Sequence, residues 1–104
     1  MTDEVEVTRN DDEGRFEARV DGALAGFAAF HETQHVIVFT HTEVDPAFEG
    51  RGVGAALARG ALDAVRAQGT HEVKPLCPFI RAWIQRHPEY QDLVHHPGPP
   101  EPVG

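Results

Sequence analysis

The sequence predicts an α+β fold in which two helices pack against a mostly antiparallel sheet of about five strands, in the order β-β-β-β-α-β-α. Two observations support this prediction. Hydrophobic residues in the first third of the chain alternate with polar ones, which is typical of half-buried strands. After a glycine-rich segment at residues 49–55, they instead recur about every four positions, which is typical of an amphipathic helix.

The first three strands are predicted around residues 5–7, 16–20 and 24–30, where apolar and polar residues alternate. A polar turn at residues 10–14 separates the first two. The pair at residues 21–22, Asp-Gly, is a hairpin signal before the third strand, because both residue types tolerate the backbone of a tight turn. Together these features indicate consecutive antiparallel strands.

The fourth strand is predicted over residues 36–44. Its first half, Val36 to Phe39, is apolar at every position, which predicts a strand that is covered on both faces. Asp45 and Pro46 follow, and the proline ends the strand because it cannot donate a ladder hydrogen bond.

The first helix is predicted from about residue 52 to 68, and Gly69 is a suitable C-terminal stop. Gly60 lies inside this helix at a cost of about 1 kcal/mol relative to alanine, which indicates a close packing contact at that point. A short strand is predicted over residues 71–76, and Pro78 then begins a second, shorter helix.

Size and charge limit the possible partners. With 104 residues the chain is large enough for one core, and we expect a single domain over residues 1–94 with a Pro/Gly-rich tail at 95–104. A formal charge of −8 argues against nucleic acid as a partner, because phosphate neutralisation needs a basic face. The same charge is compatible with a cationic substrate such as an amine.

The compartment is predicted from cysteine usage and hydropathy. A single cysteine cannot form an internal disulfide, which indicates a reducing environment. The sequence shows neither a signal peptide pattern nor an apolar run long enough to span a bilayer. We therefore expect a cytoplasmic protein with no membrane partner. We expect no metal site, because His95 and His96 are a pair without further ligands.

Residues 49–55, Glu-Gly-Arg-Gly-Val-Gly-Ala, have the composition of an anion cradle. Glycines allow a tight turn and leave backbone N–H groups uncovered, and the dipole of the following helix favours a phosphate there. A nucleoside-triphosphate loop is excluded, because Ala55 and Ala56 stand where that loop needs Lys and Ser or Thr. A dinucleotide loop is disfavoured, because it belongs on the first strand of a longer βαβ array. The third hypothesis is coenzyme A.

The arrangement of strand, Gly50-Arg51-Gly52-Val53-Gly54, helix and strand resembles the central motif of the GNAT superfamily, the acetyl-CoA-dependent N-acyltransferases. That motif reads Arg/Gln-x-x-Gly-x-Gly/Ala, so Gly52 and Gly54 match, whereas Glu49 stands where Arg or Gln is usual. Three further segments narrow the resemblance, over about residues 5–94, to the small single-domain branch of predicted acetyltransferases. They are His41-Thr42-Glu43-Val44, Pro75-Leu76-Cys77 and His87-Pro88-Glu89-Tyr90.

The resemblance implies a minimal GNAT-like fold and an acetyl-CoA-dependent N-acetyltransferase that acts on an amine of a small molecule, or on a lysine or the N-terminus of a protein. It implies acetyl-CoA as the cosubstrate, with its pantetheine arm between the fourth and fifth strands. The residues that it assigns to this cofactor are Thr42, Val44, Asp45, Glu49, Gly50, Arg51, Gly52, Val53, Gly54 and Ala55. A non-catalytic module that binds CoA or acyl-CoA is the alternative.

Three residues are the candidates for catalysis. His41 and Glu43 lie two apart on one strand and so point to the same face, where either could accept the ammonium proton. Cys77 is expected to cap the second helix, whose dipole favours a thiolate. If His41 faces Cys77 across the gap between strands, the two could form an acyl-cysteine. The thiol could instead protonate the departing thiolate, or be a small buried hydrophobe. Tyr90 is a further candidate acid, or a core residue.

The acceptor side is predicted to be open. Larger members of the superfamily carry helices between the first two strands, whereas a short turn at residues 10–14 occupies that place here. We expect a partner subunit or a protein substrate to be able to complete the site.

Overall fold

The computed structural model describes residues 4–95 and confirms the predicted order of strands and helices. Of the predicted tail at residues 95–104, residues 96–104 lie outside the described residues. The elements are β1 (Val5–Asn10), β2 (Arg15–Val20), β3 (Ala23–Glu32), β4 (Val36–Val44), α1 (Val53–Gln68), β5 (Glu72–Pro75) and α2 (Pro78–Arg86), with 3₁₀ helices at Pro46–Phe48 and Pro88–Leu93. Within residues 4–95, no helix is both long enough and apolar enough to cross a membrane.

The five strands form one sheet in the order β1-β2-β3-β4-β5. The first four pair antiparallel, and β5 pairs parallel to β4 after the α1 crossover. A bulge interrupts the β3–β4 ladder, because Phe30 pairs with Phe39 and Ala29 pairs with His41, which leaves Thr40 as an extra residue. This bulge reverses which side chains of β4 face the helices beyond that point.

Both helices belong to one hydrophobic core on one face of the sheet. The α1 residues at positions 53, 57, 61 and 65 are buried there, as the helical period predicts. The predicted close contact at Gly60 is confirmed, because a Cβ on this residue would lie 2.8 Å from Cβ of Val7 on β1. Ile80, Trp83 and Ile84 bury the inner face of α2 in the same core.

The prediction that β4 is covered on both faces was wrong. Ile37 and Phe39 are buried, but Val36 and Val38 are only partly buried. The described helices pack on the face that carries Ile37 and Phe39. Val36 and Val38 point to the opposite face, which none of the described helices covers.

The face without helices carries a network of charged side chains. Glu17 on β2 is 5% exposed and accepts hydrogen bonds from Arg15, Arg19 and Asn10. The hydrogen bond from Arg15 is the main cause of a lowered pKa of this carboxyl, so it stays ionised although it is buried.

Candidate active site

The glycine loop adopts a backbone that its sequence requires. Gly50 and Gly52 have φ angles of 82° and 75°, in the left-handed region that favours glycine. Gly54 has a different reason, because a Cβ there would lie 2.8 Å from Cζ of Phe79 on α2. The glycines therefore shape the turn and bring α1 and α2 close together.

The N-terminus of α1 presents backbone N–H groups. Its first intrahelical bond runs from Ala56 N–H to Gly52 C=O at 3.0 Å, so the amides of residues 53–55 precede the ladder. In the part of the chain that the structure describes, no side chain caps this end, and its first turn contains no acidic residue. The geometry agrees with the anion cradle that the sequence predicts.

An open groove with a volume of about 420 Å³ runs from this loop along α2. That volume lies within the range of about 300–1,000 Å³ that is typical of ligand sites. The predicted cofactor residues that line it are Val44, Glu49, Gly50, Gly52, Val53, Gly54 and Ala55. Arg51 is not among the lining residues, and its guanidinium lies 5.6 Å from the ring centre of Phe48.

The other wall of the groove was not predicted as a binding surface. It consists of Phe79, Trp83, Arg86 and His87 from α2 and its C-terminal end, with Phe48 beside the loop. His87 stacks on Trp83 with ring centres 3.9 Å apart, and its Nδ1 lies 2.8 Å from the Trp83 carbonyl oxygen. The spacing of residues 79, 83, 86 and 87 indicates one helical stripe, which is the signal that could have identified this wall.

The strands β4 and β5 separate at the end of their ladder that lies nearer the glycine loop. Their pairing extends only to Phe39 and Pro75, and Cys77 N–H then donates to Phe39 C=O at 2.8 Å. Beyond this point β4 continues to Val44 with β3 as its strand partner among the described residues. The predicted gap between the fourth and fifth strands is therefore present.

Asp45 offers little backbone to a ligand. Its N–H donates to Ala25 C=O at 2.7 Å, its C=O accepts from Phe48 N–H at 2.8 Å, and its Oδ1 accepts from Ala47 N–H at 2.9 Å. This residue therefore caps the 3₁₀ helix after β4. Among the residues that were predicted to bond the carrier through their backbone, Thr42 to Val44 lie on a strand edge that faces the gap.

Cys77 lies at the N-cap of α2, as the sequence predicts. It is 2% exposed, and its Sγ lies 3.2 Å from Oγ1 of Thr42 across the gap. Thr42 pairs with the buried Ala28 and so belongs to the helix-side face of the sheet. The thiol and the hydroxyl thus meet where β4 and β5 separate.

His41 and Glu43 lie on the opposite face of β4. The imidazole Nε2 is 3.6 Å from Oε1 of Glu43, both side chains are about 60% exposed, and the His41 ring centre is 6.1 Å from that of Phe27. The structure therefore brings His41 together with Glu43, as predicted. It does not bring His41 together with Cys77, because consecutive residues of a strand point to opposite faces and Thr42 contacts the thiol.

Tyr90 is a core residue in this structure. Its hydroxyl donates to Asp63 Oδ1 at 2.6 Å and accepts from Arg59 Nη1 at 3.2 Å. The hydrogen bond to Asp63 is the main cause of a raised pKa of the phenol, and burial adds to it. The side chain joins the second 3₁₀ helix to α1.

Among residues 4–95, no cluster of three His, Cys, Asp or Glu side chains could hold a metal ion.

Comparison with known proteins agrees with this geometry. Residues 15–93 match the family described as GCN5-related N-acetyl-transferase. The chain is 27% identical over 93 residues to protein NATD1 of Gallus gallus, an alignment that covers 88% of this chain and 84% of the relative.

Two solved structures share the fold. The NMR structure of a GCN5-like protein from Staphylococcus aureus superimposes with a TM-score of 0.65 at 18% identity, covering 95% of this chain and 96% of that chain. The crystal structure of ribosomal-protein-alanine N-acetyltransferase from Brucella melitensis biovar Abortus 2308 gives a TM-score of 0.55 at 21% identity, covering 86% and 67%.

Proposed function

The chain belongs to the GCN5-related N-acetyltransferase family, and from that premise we propose that it transfers an acetyl group from acetyl-CoA to the nitrogen of an amine. One observation carries the proposal. The groove at the glycine loop is lined by Val44, the last residue of the β4 segment that has parted from β5. A carrier bound by its diphosphate at the loop would thus have its thioester beside residues 42–44.

The loop and the groove walls would hold the carrier. Amides of residues 53–55 face a diphosphate at the positive end of the α1 dipole. The aromatic wall at Phe79 and Trp83 supplies apolar contact, and Arg86 supplies a positive charge at the same wall. The unpaired edge of Thr42 to Val44 would bond the pantetheine amides and provide an N–H for the carbonyl oxygen in the transition state.

The two faces of β4 suggest a division of the proton transfers. His41 and Glu43, on the open face, accept the proton that the acceptor ammonium loses before its nitrogen attacks the thioester carbon. The C–S bond then breaks, and the second proton of the attacking nitrogen is transferred to the departing thiolate, with the thiol of Cys77 or the hydroxyl of Thr42 as the relay. The geometry favours this direct route over an acyl-cysteine, because Cys77 contacts Thr42 and not the imidazole.

Thiol release from acetyl-CoA, measured over a panel of amines, tests the proposal. His41→Ala should lower kcat by about 100-fold or more, because general-base catalysis contributes about 10²–10⁴-fold. It should leave the calorimetric affinity for acetyl-CoA unchanged. His35→Ala is the matched control, because His35 is an exposed histidine in the loop before β4. Binding of acetyl-CoA without thiol release from any amine would instead support a non-catalytic module.

The kinetic pattern separates the two routes. Direct transfer requires both substrates to be bound together and gives intersecting double-reciprocal lines, whereas an acyl-cysteine gives parallel lines and an acetylated enzyme detectable by mass spectrometry. Cys77→Ser retains a proton donor and should keep more activity than Cys77→Ala. A trapped acetyl group on Cys77 would overturn the direct route.

A further inference from the structure

A second depression lies at the end of the β3–β4 ladder, on the far side of β4 from the glycine-loop groove. Its volume is about 260 Å³. We call it the acceptor hollow, and its lining residues include Leu24, Gly26, Phe27, Glu43, Val44 and Asp45.

The hollow and the groove meet at one residue. Val44 lines both, so the two depressions lie on either side of the same strand end. Group transfer between two bound molecules needs two sites whose reactive ends come together. The hollow is the depression that satisfies this requirement, and it contains the predicted base Glu43, beside His41.

The charges around the hollow favour a positively charged ligand. The ionisable side chains that line it, among the described residues, are the acidic Glu43 and Asp45. Two arginines lie on the same sheet face and pair with the buried carboxylate of Glu17, with Arg15 Nε at 2.9 Å and Arg19 Nη2 at 3.1 Å. The Arg15 guanidinium also lies 4.7 Å from the ring centre of Phe27, on the wall of the hollow. Glu17 balances only one of these two positive charges, but the three carboxylates Glu17, Glu43 and Asp45 still exceed the two arginines by one negative charge.

The walls and the size select an aliphatic stem. Leu24 is 37% exposed, although it is a large hydrophobic residue, and Phe27 forms the adjacent wall. The volume is below the range of about 300–1,000 Å³ that holds a whole drug-sized ligand. The hollow thus fits the end of a molecule, an ammonium on a short unbranched alkyl chain, while the remainder extends across the open sheet face.

We propose that the acceptor hollow binds a primary ammonium group carried on an unbranched aliphatic stem, and that this is the acceptor of the reaction. This inference rests on the proposed function, which it extends to a substrate class. A free alkylamine and a lysine side chain of a protein share this chemistry, so the experiment uses pentylamine and an N-terminally blocked lysyl peptide as separate probes.

Two substitutions at one position test the sign of the charge. Leu24→Lys and Leu24→Glu remove the same apolar contact, but they place opposite charges at the rim. Leu24→Lys should weaken pentylamine binding by about tenfold relative to Leu24→Glu, because a like charge at close range costs on the order of 1 kcal/mol. Hydroxylamine, which is uncharged at neutral pH, should not distinguish the two variants. Both variants should bind acetyl-CoA as the wild-type protein does.

Binding is measured by amide NMR shifts during amine titration in the presence of CoA, which requires no turnover. Shifts confined to residues 24–27 and 43–45, together with the difference between the two variants, would support the proposal. Shifts elsewhere, or equal affinities of the two variants for pentylamine, would overturn it.

Absence of CoA binding or of thiol release would refute the proposed function, while the amine titration would still report on the hollow. A lower KM for the lysyl peptide than for pentylamine would identify a protein as the source.

Discussion

Removing the negative charge of Glu49 should tighten coenzyme A binding. Glu49 lines the groove directly before Gly50, at the position where the family pattern has Arg or Gln. If the diphosphate lies at the amides of residues 53–55, this carboxylate repels it. Glu49→Gln therefore tests the location of the diphosphate by a gain of affinity, which general damage to the site would not produce.

The expected magnitude follows from the position of Glu49 at the rim of the groove. At a separation of about 7 Å in water, each phosphate charge repels the carboxylate by about 0.6 kcal/mol. Two charges give about 1 kcal/mol, which screening at physiological ionic strength reduces to about 0.5 kcal/mol. Glu49→Gln should thus lower the Kd for CoA about twofold at 0.15 M salt and about fivefold at 0.01 M salt. Glu49→Arg should have roughly twice the effect in free energy.

Isothermal titration calorimetry at three salt concentrations measures the effect. Near 1 M salt, where the Debye length is about 3 Å, the variants should converge. Glu13→Gln is the control, because Glu13 is exposed in the turn between β1 and β2 and carries the same charge. An unchanged or higher Kd for Glu49→Gln at low salt would refute the placement of the diphosphate at this loop.

Three further predictions concern stability. Gly60→Ala should destabilise by up to about 2 kcal/mol, because overpacking against Val7 exceeds the gain of about 1 kcal/mol in helix propensity, and Val7→Ala should reduce this penalty in a double-mutant cycle followed by urea unfolding. The lowered pKa of Glu17 means that its ionised carboxylate stabilises the fold above about pH 4.3, and that this stabilisation is lost as the pH falls through the pKa of the folded state. Glu17→Gln should therefore flatten the acid branch of a plot of unfolding free energy against pH. The raised pKa of Tyr90 means that its protonated hydroxyl stabilises the fold below about pH 10, and that this stabilisation is lost as the pH rises through the pKa of the folded state. Tyr90→Phe should therefore abolish this loss of stability at alkaline pH in thermal melts.

The glycine loop and the order of elements could be predicted because their signals are local. Gly50 and Gly52 adopt positive φ angles in a turn whose length is visible in the sequence. The period of α1 follows directly from its buried residues, and Gly60 stands out because it opposes helix propensity. In each case the physical cause lies within a few residues of the signal.

The groove wall on α2 was harder to predict, because Phe79 and Trp83 are apolar residues on a helix, and the same pattern describes a core face. Trp83 does contribute to the core, yet its ring also borders the groove. Phe79 is 39% exposed and packs against Gly54, a contact between helices that no local pattern encodes.

The bulge at Thr40 explains why the partner of Cys77 could not be identified by counting along β4. Strict alternation from the buried Ile37 and Phe39 places His41 on the helix-side face, beside the thiol. The extra residue shifts the register, so that Thr42 takes that position and His41 turns to the open face. A bulge depends on pairing with β3 and leaves no reliable mark in a single strand.

The same bulge gives the proposed chemistry its arrangement. A strand with regular alternation would point Thr42 and Val44 away from the helices, and the edge facing the gap would lose its hydroxyl beside Cys77. With the extra residue, the base lies on the face that an acceptor can reach, and the groups that meet the leaving thiolate lie on the face toward the carrier. One inserted residue thus separates the entry of the two substrates while it keeps both within reach of a single strand end.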